Sequence, residues 1–284
     1  MKLRLLLPAA LLTLAAVASG HAATRTWTGG AVLNDNWSNN DNWSGNVQPA
    51  AGDVLVFPAG IPDSDRSTFN TILGSPIFNR LEFYDTYHTS GLRVNLSGGI
   101  RLGASTVVHF EGASLRLWAN QTFSLPFFSR LLVWDGQEID LNGRNLALTS
   151  TGFDPDNIDR SEVDVLGRIV GSGGVTCDGV DLILHQANSY TGSTIIGPES
   201  RVSLLSSGVS GGNFATLGDT SRGTEVFGIL LLEPEQTETV LEGLTLHAGS
   251  KLQLRAGSTH GTPRSVRVWP ADRKSTRLNS SHRT

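Results

Sequence analysis

From Ile72 onward the chain is a succession of short runs in which apolar and polar side chains alternate, each closed by a turn rich in Gly, Asn, Asp or Ser. No other feature constrains the fold as much, because alternation with a period of two is the signature of a strand with one buried face. Such runs include Arg80-Leu81-Glu82-Phe83, Leu92 to Leu96, Thr106 to Phe110, Ser114 to Trp118, Arg130 to Trp134, Glu138 to Leu141 and Asn145 to Leu148. Val180 to Leu184, Arg201 to Leu205, Val226 to Leu232 and Lys251 to Leu254 follow. Between them stand Ser97-Gly98-Gly99, Asp135-Gly136, Asn142-Gly143, Gly171-Ser172-Gly173-Gly174 and Ala248-Gly249-Ser250, all turn-forming sequences. No long segment keeps a helical period free of Gly or Pro, so the class is all-β.

Strands spaced roughly 8 to 12 residues apart can build a sandwich, a barrel or a solenoid. Short phrases that recur after glycine favour the solenoid: Gly91-Leu92-Arg93-Val94, Gly99-Ile100-Arg101-Leu102 and Gly249-Ser250-Lys251-Leu252. The expected architecture is a right-handed parallel β-helix, with a β-sandwich as the alternative. One coil of such a helix cannot bury its own apolar face, so coils must stack at about 4.8 Å per rung. The degeneracy of the phrases leaves the period of the repeat unread.

The N-terminus points to export. Lys2 and Arg4 precede an uncharged apolar stretch from Leu5 to Val17, and small residues follow up to Ala22-Ala23. Residues 1–22 therefore read as a signal peptide, too short in its apolar part to span a bilayer comfortably. No later segment is apolar for long enough to form a transmembrane helix. Cys177 is the single cysteine, so an exported chain of this kind has no internal disulfide and depends on packing and backbone pairing.

Two segments resemble a known family. The first is Thr26-Trp27-Thr28-Gly29-Gly30, Asn36-Trp37-Ser38, Asn42-Trp43-Ser44-Gly45 and Gly52-Asp53-Val54-Leu55-Val56-Phe57. The second runs from Gly171-Ser172-Gly173-Gly174-Val175 through Asp181-Leu182-Ile183-Leu184 to Ala187-Asn188-Ser189-Tyr190-Thr191-Gly192-Ser193-Thr194-Ile195-Ile196. Together they are similar to bacterial autotransporter-associated β-strand repeat proteins and their passenger-associated transport repeat. Cys177 departs from the lysine usual in that repeat. The resemblance implies a β-helical passenger at the cell surface with a structural, display or adhesive role. It also implies an outer-membrane barrel or a sorting tail beyond the present chain. Residues 23–70 then form a Trp/Asn-rich cap region and residues 71–271 the repeats. Within the repeat, Asn188, Tyr190 and Gly192 are expected at a corner, with Asn188 bonding its own turn, Tyr190 covering it and Gly192 supplying positive φ.

Residues 272–284 change character. Asp272 to His282 resembles, residue for residue, the translation of a common short-read sequencing adapter, so this tail is expected to be non-native. Its basic residues and those of the signal mask an acidic centre: the whole chain carries a net charge of −4, and Lys251 is the one lysine between Ala23 and Ala271. That balance argues against nucleic acid as a partner.

Chemistry is sparse. Trp27, Trp37 and Trp43, set among Asn and Ser, have two readings: a cover over the first coil, which solenoid ends need, or a stacking platform for an extracellular glycan or matrix surface. The second reading underlies an alternative function, a carbohydrate-binding or polysaccharide-degrading β-helix. Asp154, Asp156 and Asp159 make the densest acidic group; they read first as a solvated turn and second as a Ca²⁺ loop, although EF-hand spacing is missing. His88, His109, His185, His247 and His260 are scattered, with no pair at metal-ligand spacing. No catalytic residue is identifiable.

Overall fold

The computed structural model describes residues 22–32, 34–151, 160–205, 217–218, 223–233, 240–254 and 267–269. The expected signal peptide up to His21, the acidic loop with Asp154, Asp156 and Asp159, and the tail at 272–284 lie outside the described residues.

The chain is a parallel β-helix. It passes through three faces in turn and pairs each strand with the equivalent strand one coil earlier and one coil later. The first face is a 10-stranded sheet that begins at Thr24–Thr26, Val54–Phe57 and Arg80–Phe83 and ends at Leu244–Leu246. The second face has 9 strands, from Ser67–Asn70 and Tyr87–Gly91 to Lys251–Leu254. The third has 5, from Ile77–Phe78 to Arg168–Val170. Ladders between successive coils are parallel throughout, for example Leu55↔Leu81, Leu81↔Ile100 and Tyr87↔Val108, which rules out a sandwich of antiparallel hairpins.

Alternation in sequence becomes columns in space. On the first face Leu81, Ile100, Phe123, Leu148, Cys177 and Ile196 occupy successive levels of one inward column, all buried. On the second face Tyr87, Val108, Leu131, Val163, Leu182 and Val202 do the same. Each such side chain removes its apolar surface from water, a gain of about 1.5–3 kcal/mol before the entropy of ordering is charged against it. The columns merge into one core that runs from Trp27 to Leu232.

The structure departs from the sequence reading in three places. Stacking starts earlier than Ile72, because Val54–Phe57 and Ser67–Asn70 already belong to the first two faces. The coils are also unequal, with roughly 20 to 30 residues between stacked positions, so no fixed period exists to be found. The expected run Val226 to Leu232 is two strands, Thr224–Val226 and Ile229–Glu233, split at a corner where Gly228 approaches the Gly197 and Ser200 carbonyls.

Candidate functional site

Parallel pairing on the second face carries His88 onto His109, one level apart. Both lie in an outward column, flanked by Tyr87 and Thr89 and by Val108 and Phe110, which are inward and buried. The two imidazoles stack with centroids 4.4 Å apart and 12° between planes. Glu111 follows Phe110 at the end of the strand and reaches both rings, its Oε1 2.7 Å from His88 Nδ1 and 3.9 Å from His109 Nδ1. Trp134 stands at the end of the next strand and donates its indole N–H to His109 Nδ1 at 3.3 Å. Because an indole nitrogen only donates, His109 Nδ1 must carry a lone pair, which places the ring proton on Nε2. Burial and the neighbouring His88, with Arg130 adding to them, hold the His109 pKa below its ordinary value despite Glu111. Among the described residues these three side chains form the one His/Cys/Asp/Glu group whose ligand atoms converge, all within 4.8 Å of one another.

Further along the same face the outward positions carry an ion network. Arg130, Glu162, Asp181 and Arg201 share one column, so cross-strand neighbours include Arg130–Glu162 at 2.5 Å and Arg201–Asp181 at 2.5 Å. Asp164, in the next outward column, accepts from Arg130 at 2.7 Å and pairs with His185 at 2.8 Å. Burial pushes the Asp164 carboxyl up, but hydrogen bonds and charge from His185 and Arg130 outweigh it and leave the pKa below normal. For Glu162 the balance is reversed: burial dominates and raises it against the pull of Arg130. Opposite charges meet at Arg130–Glu162 and Asp181–Arg201, while Glu162 and Asp181 are like charges on adjacent rungs, each held by its own arginine.

Trp27, Trp37 and Trp43 are at most 1% exposed, so none offers a ring face to a sugar; this corrects the stacking-platform reading. The indoles pack edge-on to one another and around Phe57, with Trp27–Trp43 centroids at 5.2 Å and Trp37–Phe57 at 5.5 Å. Phe57 in turn stacks on Phe83 of the next coil at 4.6 Å and 9°. Trp27 donates to the Asp65 carbonyl and Trp43 to the Trp37 carbonyl. Buried Asn42 ties down the intervening loop through bonds to Ala31, Asn34 and Asn36. Among the described residues the exposed indoles are Trp118 and Trp134, at 43% and 42%, which the sequence did not single out for a role.

Asn188 joins two rungs: its Oδ1 accepts from Ile169 N–H at 2.7 Å, while its Nδ2 donates to the Gln186 carbonyl. Tyr190, expected to cover the corner, points inward. It is fully buried, with its hydroxyl 2.6 Å from Thr194 Oγ1, and burial drives its pKa upward. Gly192 does not need positive φ either; it is required because Gly173 and Gly174 of the coil beneath lie where a Cβ would go. A recess of about 300 Å³ opens beside it, lined by Asn145, Ser172, Thr191, Ser193 and glycines, with no titratable side chain in its wall. Among the described residues no helix is long and apolar enough to cross a membrane.

What hides the His pair in the sequence is the unequal coil length. Tyr87-His88-Thr89 and Val108-His109-Phe110 each place a histidine between two inward residues, and only the register shows that they are vertical neighbours. No family model matches this chain, and neither a curated protein nor a solved structure does.

Proposed function

We propose that this chain is part of an exported, passenger-like β-solenoid that serves a structural, display or adhesive role at the cell surface. The observation that carries the reading is the unbroken parallel stack from Thr24–Thr26 to Lys251–Leu254, an elongated scaffold whose faces present ordered columns of side chains to the outside. The two segments that resemble autotransporter-associated repeats support it. The Trp-rich segment packs at the first coil, and the glycines of the second segment sit where successive coils touch. A stack of this kind lends itself to transport as a strand and assembly coil by coil, since each coil contacts chiefly its neighbours. An outer-membrane barrel or sorting tail completes the reading, with host or matrix surfaces as partners.

The test is localisation. The complete reading frame, tagged in a surface loop, is expressed in a Gram-negative host, and intact cells are treated with protease. Loss of the tag from intact cells supports the proposal. Retention of an unprocessed chain in the cytoplasm sinks it. The alternative, a carbohydrate-binding or polysaccharide-degrading β-helix, now draws on exposed Trp118, over which the Arg116 guanidinium lies 5.5 Å from the ring centroid, rather than on the buried indoles. Glycan-array binding lost in Trp118→Ala separates the two.

A further inference from the structure

We propose that His88, His109 and Glu111 form a surface site for a borderline-soft divalent transition metal of the zinc, nickel or copper type. His109 Nδ1, whose lone pair accepts the Trp134 indole N–H, lies 3.9 Å from Glu111 Oε1. His88 Nδ1 lies against the same carboxylate oxygen at 2.7 Å. Two nitrogens and one carboxylate oxygen thus converge on the outer surface, and a cation bound there takes the His109 lone pair in place of the indole N–H.

The donor set selects the metal. Imidazole nitrogen with one carboxylate suits zinc, copper and nickel, whereas calcium and magnesium take oxygen. A tetrahedral ion with bonds of about 2.0–2.2 Å holds its ligand atoms roughly 3.3 Å apart. The three atoms already lie within 4.8 Å of one another, so rotation of the rings out of their parallel stack closes the site while the backbone register stays in place. Side-chain exposures of 41% for His88 and 37% for Glu111 leave one side open to water, which supplies the remaining ligands. His109 is the more enclosed partner, its side chain 19% exposed. Arg130, on the strand stacked against that of His109, is already engaged by Glu162 and Asp164.

Untagged protein is titrated with zinc chloride and nickel chloride by calorimetry. One saturable equivalent is expected, weakened at least about tenfold in His88→Gln and in His109→Gln and unaffected by excess Ca²⁺. Nickel or copper should quench Trp134 emission, and Trp134→Phe should remove that component while keeping zinc affinity. Imidazole ¹⁵N NMR provides a readout without substitution: zinc should shift the Nδ1 resonances of two histidines together. Zinc affinity unchanged in both His variants, no saturable binding at millimolar metal, or ¹⁵N shifts confined to other histidines would each overturn the assignment.

Discussion

Replacing Gly192 by Ala tests the stacking geometry directly. Gly192 N–H donates to the Gly173 carbonyl at 2.7 Å, and the preceding Thr191 N–H donates to the Gly171 carbonyl at 3.1 Å, so two adjacent bonds join this coil to the one beneath. A Cβ on Gly192 overlaps the backbone of Gly173 and Gly174, and backbone cannot swing aside as a flexible side chain can. The rungs must part locally. Overpacking of this kind costs about 1–3 kcal/mol. Loss of the two bonds adds about 1 kcal/mol each, so the expected destabilisation is about 3–5 kcal/mol. Gly136→Ala is the control: its φ of 77° strains an alanine, but no atom lies within 4 Å of the added carbon. That variant should lose only about 1–2 kcal/mol. Urea titration followed by far-ultraviolet circular dichroism gives both values. If Gly192→Ala costs no more than Gly136→Ala, close backbone approach is not what requires glycine there, and the reasoning fails.

His109 has a pKa below its ordinary 6.5, so the unfolded chain takes up its proton first as pH falls. Stability should therefore rise with pH from the depressed folded value up to about 6.5 and then level off, and His109→Gln should flatten that rise in melting curves recorded across the window. Asp164 has the same sign in a more acid window: its lowered carboxyl contributes stability that is fully present above the ordinary value of 3.8 and lost as pH drops through the folded value. Asp164→Asn should cost about 1.5–3 kcal/mol at pH 7 by weakening its bonds to Arg130 and His185, and a deficit that persists undiminished at strongly acid pH would contradict this account. Cys177 is buried between Leu148 and Ile196, with its thiol pushed up to about 12, so Ellman's reagent at pH 8 should find no thiol in the native chain and one after unfolding. Rapid labelling of folded protein would show that the column is open.

The sequence determined the class of structure, because local rules suffice for it. Arg80 to Phe83 is a strand as written, and most of the other alternating runs are strands shifted by a residue or two. The glycine turns mark the corners, and the absence of a helical period leaves stacking as the way to bury one-sided strands. It also identified Asn188, Tyr190 and Gly192 as belonging together, and Asn188 does bond within its own turn to the Gln186 carbonyl, but Gly192 meets the backbone of another coil and has no positive φ. Whether Tyr190 faces water, or Gly192 touches another backbone, depends on a coil that lies far away along the chain. The same limit explains the tryptophans: the composition around Trp27, Trp37 and Trp43 is polar, and only packing on Phe57 shows that their rings point inward.

The tertiary structure alone decided which outward residues are neighbours. In a solenoid with coils of roughly 20 to 30 residues, vertical register is set by the shape of each corner and by the fit of the inner columns, not by any count along the sequence. His88 meets His109, and Arg130 meets Glu162, because Tyr87 sits on Val108 and Leu131 on Val163 beneath them. The apolar interior fixes the register, and the polar surface inherits its partners from it.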